Sequence, residues 1–453
     1  MRLNRVPGLP GLALLLLCLL CLAGLEPPPA ALSDFTYYAD INSSATTDCT
    51  PTATGCTGLC ATPTCGTEST PCHTIQDAID IANCNIGENT ALEADVLVAA
   101  GTYPERIFIY PNIHLIGAGR DVTTIDAMGR QRSAVIMAGG GGYGFNRSRV
   151  KFSISGFRII HGSGDRITLV GEGGTIYNIG GGGMLLYGDG TGWPQVTNCR
   201  IEDNTLGNFT GLEAPDWMGA GIYVAVGAPV ISGNIIQRNT TTPPKVASPD
   251  VPALGWGAGI YSLNFDCRPV ITHNTIRNNV TVAEMGDGAG MAVFGSTGTV
   301  LSNNLVVANS ANDGGGGIFI YATGVSAYNN VVTGNVGGIF GGGFNVGGRV
   351  EPAHVTNNTI VGNVLSVQDV YPPAGGGVYS SFILLQDPPV VHLTNNLIAL
   401  NDATSSGDGG GLYSFNTFPT NDHNDFFGDL GDDGSGLLGP NEIRGDFTDA
   451  DVI

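Results

Sequence analysis

The chain has 453 residues, 70 of them glycine, and carries 18 Lys and Arg against 39 Asp and Glu, for a formal net charge of −21. That balance excludes a nucleic-acid partner, which needs a basic footprint. The glycines follow no three-residue period, which excludes collagen, and an apolar content of 42% excludes wholesale disorder.

Arg2 and Arg5 precede an apolar run from Leu12 to Leu22 that ends in Cys21-Leu22-Ala23. The run is too short to span a bilayer, so residues 1–23 read as a signal peptide. No later segment reaches the roughly 20 apolar residues of a membrane helix. The mature chain is therefore expected to be secreted or held at the cell surface, without a membrane span. Residues 24–93 form a Cys-rich segment holding Cys49, Cys56, Cys60, Cys65, Cys72 and Cys84. In an exported chain these predict a disulfide-tied cap whose pairing the sequence leaves open. Cys199 and Cys267 stand apart as buried thiols. Ile75, Ala78, Ile79 and Ala82 share one face of a helix that can cover the open end of a stack of strands.

A repeat occupies residues 94–430, with 431–453 as a tail. From Gly180 a glycine triplet and an apolar residue recur, ending at Met184, Ile222, Ile260, Met291, Ile318, Phe344, Val378 and Leu412. Between triplets lie asparagines five apart, such as Asn234/Asn239, Asn274/Asn279, Asn304/Asn309, Asn330/Asn335, Asn358/Asn363 and Asn396/Asn401. Short runs between these marks alternate in period two, as half-buried strands do. Three strands and three turns per unit, stacked in register, predict an all-β fold: a right-handed parallel β-helix solenoid with a disulfide-rich helical cap. A turn asparagine tolerates left-handed backbone and bonds its counterpart one coil away. The asparagines therefore read as a structural ladder beginning near Cys199.

The residue after each triplet is apolar in all eight units and must point inward. Its neighbour then points outward, and is Tyr223, Tyr261, Phe319, Tyr379 or Tyr413 in five units, with gaps at Ala292 and Asn345. Two places on stand Tyr187, Phe294, Tyr321 and Phe415. Rows of outward aromatic rings suit the flat faces of sugars, with Trp217 and Trp256 on long insertions as walls of a groove. Asp287, Asp313 and Asp408 precede triplets at the bordering corner. They are ordinary turn residues, or a carboxylate pair for glycosidic hydrolysis, or Ca²⁺ ligands for a lyase. No cofactor is otherwise expected. His354 and His392 share one outward position on adjacent coils.

The repeats, with HTIQDAIDIA from His73 and ADVLVAAGTYPERIFI from Ala94, resemble the β-helix repeat proteins of the pectin-lyase-like superfamily, of the bacterial exported kind. That resemblance implies a polysaccharide or cell-surface glycan as partner. It supplies no chemistry, because the active-site signatures of pectin methylesterases, polygalacturonases, pectate lyases and alginate epimerases are missing or incomplete. GPNEIRGDFTDADVI also departs from the ending of such proteins. The leading expectation is a monomeric glycan binder using the aromatic face. A polysaccharide lyase or glycoside hydrolase is the alternative, and a structural adhesin resembling polymorphic outer-membrane proteins the second.

Overall fold

The computed structural model describes residues 33–46, 49–52, 55–58, 64–87, 91–129, 132–138, 151–171, 174–187, 193–206, 216–242, 254–263, 268–283, 285–348, 352–366, 374–381, 391–403, 409–415, 419–432, 438–440 and 443–445. Residues 1–23, expected to be a signal peptide, lie outside them, as do Asp408, Cys267 and the middles of the two insertions that precede Trp217 and Trp256.

One coil shows how the sequence folds. After the triplet ending at Gly259, Ile260–Leu263 enters sheet C, Val270–Thr272 sheet A and Thr275–Arg277 sheet B. Two further short strands, Val280–Thr281 in sheet D and Met285–Asp287 in sheet E, close the circuit. Among the described residues sheets A, B and C have 12, 11 and 11 strands, sheet D six and sheet E five. The unit is thus fuller than three strands, because the chain after the second asparagine and the end of each insertion also pair with the coils beside them. Neighbouring coils pair in parallel register, Ile222 to Ile260 and Ile260 to Met291. The apolar column after each triplet is accordingly buried, and one core runs the length of the solenoid.

The asparagine ladder is two rows. Asn309 Nδ2 donates to Asn335 Oδ1 and to the Ile276 carbonyl, both at 3.0 Å. Its Oδ1 accepts the Asn279 main-chain N–H and side-chain Nδ2, again at 3.0 Å. The first row starts at Cys199, whose N–H donates to Asn234 Oδ1, and runs to Asn424. The second runs from Asn204 to Asp429, which accepts from Asn401 and ends the row. The left-handed backbone expected of the asparagines themselves belongs instead to the residue before each rung, such as Asn278, Ala308 or Asn357, with φ near +55°. The rung is turned into the stack by that preceding residue.

The N-terminal cap is the helix α1, Ile75–Ile86, whose Ile75, Ala78, Ile79 and Ala82 are all fully buried as their spacing predicts. Thr74 caps it by accepting the Asp77 N–H at 3.1 Å, and the Glu105 carboxylate accepts the N–H groups of Ile75 and Gln76. Sheet A begins before the helix, with Phe35–Ala39 pairing parallel to Ala94–Val98. The first coil therefore reaches back into the segment assigned to the cap. Cys65 and Cys72 form a disulfide, and Cys84 is also disulfide-bonded. The side chains of Cys49, Cys56 and Cys60 lie outside the described residues. Cys199 is a buried thiol pushed up to about 12 by burial. Reducing Cys65–Cys72 should destabilise the segment beside Tyr38 by about 2 kcal/mol, the closure entropy of so short a loop. Hydrogen exchange at Tyr38, Gly66 and Cys72, joined by main-chain bonds, checks this; unchanged protection after reduction contradicts it.

Candidate functional site

The aromatic row forms as its spacing predicts. Tyr223 pairs with Tyr261, then Ala292, Phe319, Asn345, Tyr379 and Tyr413 follow coil by coil across sheet C. The Tyr223 and Tyr261 ring centroids lie 5.3 Å apart. The open groove expected above them does not form there. Asp216–Met218 and Leu254–Trp256 are strands of sheet E, and Met218 and Trp256 pack on the aromatic cluster. Tyr223 and Tyr261 keep 0% and 2% of their surface, and the Tyr223 hydroxyl accepts a bond from Asn178 Nδ2. Trp217 points away into a small cluster with Ile179, Leu206 and Ala220. Trp256 meets Phe294 and Phe319 at 5.3 and 5.4 Å. The insertions roof this part of the row instead of walling it, because burying several rings removes a large apolar area from water.

The roof changes character at Asp287. Its strand pairs Trp256 with Asp287, and the next coil brings Gly314, which bridges to Phe340. Asp287 thus occupies the place of a tryptophan in an aromatic layer. Gly314 is required there: a Cβ on it would stand 2.6 Å from Asp287 Oδ1 and 2.5 Å from Asn345 Nδ2. The carboxylate and the amide share the space a side chain would fill, and the Gly314 N–H donates to Asp287. Asp313, one residue earlier, is the second acid. Burial, and then the Asp313 carboxylate, push Asp287 well above the usual carboxylate range. Burial raises Asp313 to about 6. Two carboxyls in one desolvated site cannot both ionise easily. Asn345 and Gly314 were not singled out as site residues from the sequence; the signal was the break that Asn345 makes in the aromatic column.

Beyond this polar gap the aromatic row resumes and opens. Phe340 and Tyr379 have centroids 4.6 Å apart, and Tyr379 and Tyr413 stack 5.8 Å apart at 3°. Sheet E, among the described residues, ends at Asp287. Tyr379 is buried at 7% exposure, as Phe319 is, whereas three coils along from Phe319 Tyr413 is half-buried and Phe415 is 49% exposed, so the row of rings comes to the surface at its far end.

A family model described as the right handed beta helix region matches residues 133–365, just over half of the chain. The chain belongs to the right-handed β-helix family. Among solved structures, the β-helix is similar to the Dettilon tailspike protein gp208, with 14% identity over 79% of this chain and a TM-score of 0.41. It spans 60% of the tailspike's length. It is also similar to the A-module of the Azotobacter vinelandii mannuronan C-5 epimerase AlgE4, with 14% identity, 83% of this chain and 94% of that one covered, and a TM-score of 0.39. The Erwinia chrysanthemi pectin methylesterase PemA matches at 10% identity, over 92% and 94% of the two chains, with a TM-score of 0.30. No curated protein matches the chain.

Elsewhere on the β-helix, His354 and His392 stack with centroids 4.9 Å apart on sheet A, away from the acid pair. Burial, then the charge of His354, lowers the His392 pKa. Sheet B carries a polar network the repeat alone did not reveal. Glu202 binds Arg158 and Gln237, Arg238 binds Glu202 and Asp203, and Arg277 donates to Gln237. Among the described residues no three His, Cys, Asp or Glu converge as metal ligands, and no helix is long and apolar enough to cross a membrane.

Proposed function

We propose that this β-helix protein is an exported enzyme that hydrolyses glycosidic bonds in neutral polysaccharides, with Asp287 and Asp313 as its acid pair. The observation that carries this reading is the placement of two raised carboxyls in a row of aromatic rings whose far end comes to the surface at Tyr413 and Phe415. Burial and the neighbouring carboxylate favour the protonated form of Asp287, while Asp313, titrating at about 6, is mostly ionised at pH 7. An acid and a base then coexist at one site, which glycoside hydrolysis requires. Asp313 takes a proton from water as the water oxygen bonds to the anomeric carbon. The glycosidic C–O bond breaks, and the leaving oxygen takes the proton of Asp287. The sugar chain lies across Tyr413 and Phe415, whose faces offer apolar area to pyranose rings. The net charge of −21 disfavours polyuronates, which share its sign.

A second reading, a glycan binder or surface scaffold without catalysis, is favoured by the 6% exposure of Asp287 and by the roof over Tyr223 and Tyr261. Release of reducing ends from a panel of neutral and acidic polysaccharides, with and without Ca²⁺, tests the first reading. Inertness of the wild-type chain toward every neutral member sinks it. Tyr413→Ala should raise KM about threefold to tenfold with kcat little changed, the loss of one stacking contact. If the chain binds glycans without cleaving them and Tyr413→Ala weakens that binding, the second reading stands.

A further inference from the structure

We propose that His354 and His392 form a two-imidazole site for a divalent transition metal ion, with Cu²⁺ as its best-fitting occupant. They stand on Ala353–Thr356 and Val391–Thr394, adjacent strands of sheet A that pair in parallel with His354 opposite His392. Their chain neighbours Ala353, Val355, Val391 and Leu393 are fully buried, so alternation turns both imidazoles outward. His354 is exposed and His392 half-buried. On earlier coils the same column holds Val230, Val270 and Val300, ordinary strand formers. The fold itself does not require histidine there, yet two successive coils supply it.

The geometry suits one ion shared by both rings. Their centroids lie 4.9 Å apart and their planes 20° from parallel. An ion bonded to two imidazole nitrogens at about 2.0 Å each spans up to about 4 Å between them. A small turn of either ring closes the difference. His392 is also held in place, because its Nδ1 is hydrogen-bonded to Thr420 Oγ1 on the next coil. A ring whose Nδ1 donates to an oxygen keeps Nε2 free of a proton and able to accept a metal ion. Burial, and then the charge of His354, lower the His392 pKa, which favours the neutral imidazole that a metal ion needs.

The choice of ion follows from the ligands. Among the described residues no third histidine, cysteine or carboxylate converges on the pair, which leaves the other positions to water. Tetragonal Cu²⁺ accepts two nitrogens and water, and binds such donors more tightly than the other first-row divalent ions do. A structural zinc site closes with four protein ligands, and Ca²⁺ and Mg²⁺ take oxygen. The net charge of −21 draws cations to the surface. Of the flanking outward positions Ser326, Thr356, Thr394 and Thr420 carry no charge, and Asp422, diagonal to His392, is paired with His423. The site lies away from the acid pair and stands whether or not the chain cleaves glycans.

Titration of the full chain with Cu²⁺ near pH 7.5, followed by calorimetry and electron paramagnetic resonance, tests this. One ion per chain is expected, saturating well below about 1 mM, with two equatorial nitrogens in the spectrum. Thr420→Val should weaken binding about tenfold by releasing the His392 ring. His354→Ala and His392→Ala should each weaken it more, and the double variant little further, because either loss breaks the same pair. Binding should be lost near pH 5, where the imidazoles hold protons. A wild-type spectrum with fewer than two nitrogens overturns the proposal without recourse to any variant. So does binding that survives in the folded double variant, and so do additive losses in the two single variants, which mark independent sites.

Discussion

Asn309→Ala is expected to destabilise the protein by about 3–5 kcal/mol. The side chain makes four bonds in a buried turn, donating to Asn335 Oδ1 and the Ile276 carbonyl and accepting both the main-chain and side-chain N–H groups of Asn279. Its removal leaves the Asn279 main-chain N–H and the Ile276 carbonyl without these partners, each at about 1–3 kcal/mol. The ladder also has a direction, since each amide nitrogen donates toward the next coil. An aspartate can accept but cannot donate onward, so Asn309→Asp should cost at least as much as alanine. At the end of the row Asp429 already serves as an acceptor only, so Asp429→Asn should change stability by less than about 1 kcal/mol. Urea unfolding of the three variants checks the pattern. A loss under 1 kcal/mol at Asn309, or equal losses at Asn309→Asp and Asp429→Asn, contradicts it.

Asp313→Asn should lower kcat by about 100-fold to 10,000-fold, the usual span for removing a general base, while making the protein more stable at neutral pH. The raised pKa sets the sign. The folded state holds the Asp313 proton to about 6, against an ordinary value of 3.8. Its contribution to stability is therefore complete below pH 3.8 and is lost as pH rises through 6. An amide at this position does not ionise, so the variant gains about 1–3 kcal/mol over wild type above pH 6 and nothing below pH 4. Wild-type activity should likewise rise through pH 6 as Asp313 ionises, and fall once Asp287, whose carboxyl is raised by burial and by Asp313, loses its proton. A variant that kept full activity, or lost stability at pH 7, would remove Asp313 from the reaction. Equal activity of the wild type at pH 5 and pH 7 would do the same.

The solenoid was legible because its marks are local and repeated. A column that is apolar in every unit, from Met184 to Leu412, can face only the core, and asparagines five apart can stack only if coils are in register. The helix face of Ile75, Ala78, Ile79 and Ala82 was readable for the same reason, since its spacing alone places the four on one side. Even the gap at Asn345 in the aromatic column was visible in the sequence.

What covers a face is a different kind of fact. Alternation along a strand decides which side chains leave the core; it says nothing of whether a second layer lies over them. Tyr223 and Tyr413 hold the same repeat position, yet the first is sealed under sheet E and the second comes to the surface, half-buried. The difference comes from insertions that supply sheet E in some coils and end it at Asp287. The meeting of Asp287, Gly314 and Asn345 is likewise a product of stacking, since they lie on three successive coils. Periodicity determined the scaffold and the direction of each side chain. Coverage, desolvation and the raised carboxyls were decided by contacts between coils, whose energies depend on which side chains come to lie one strand spacing apart.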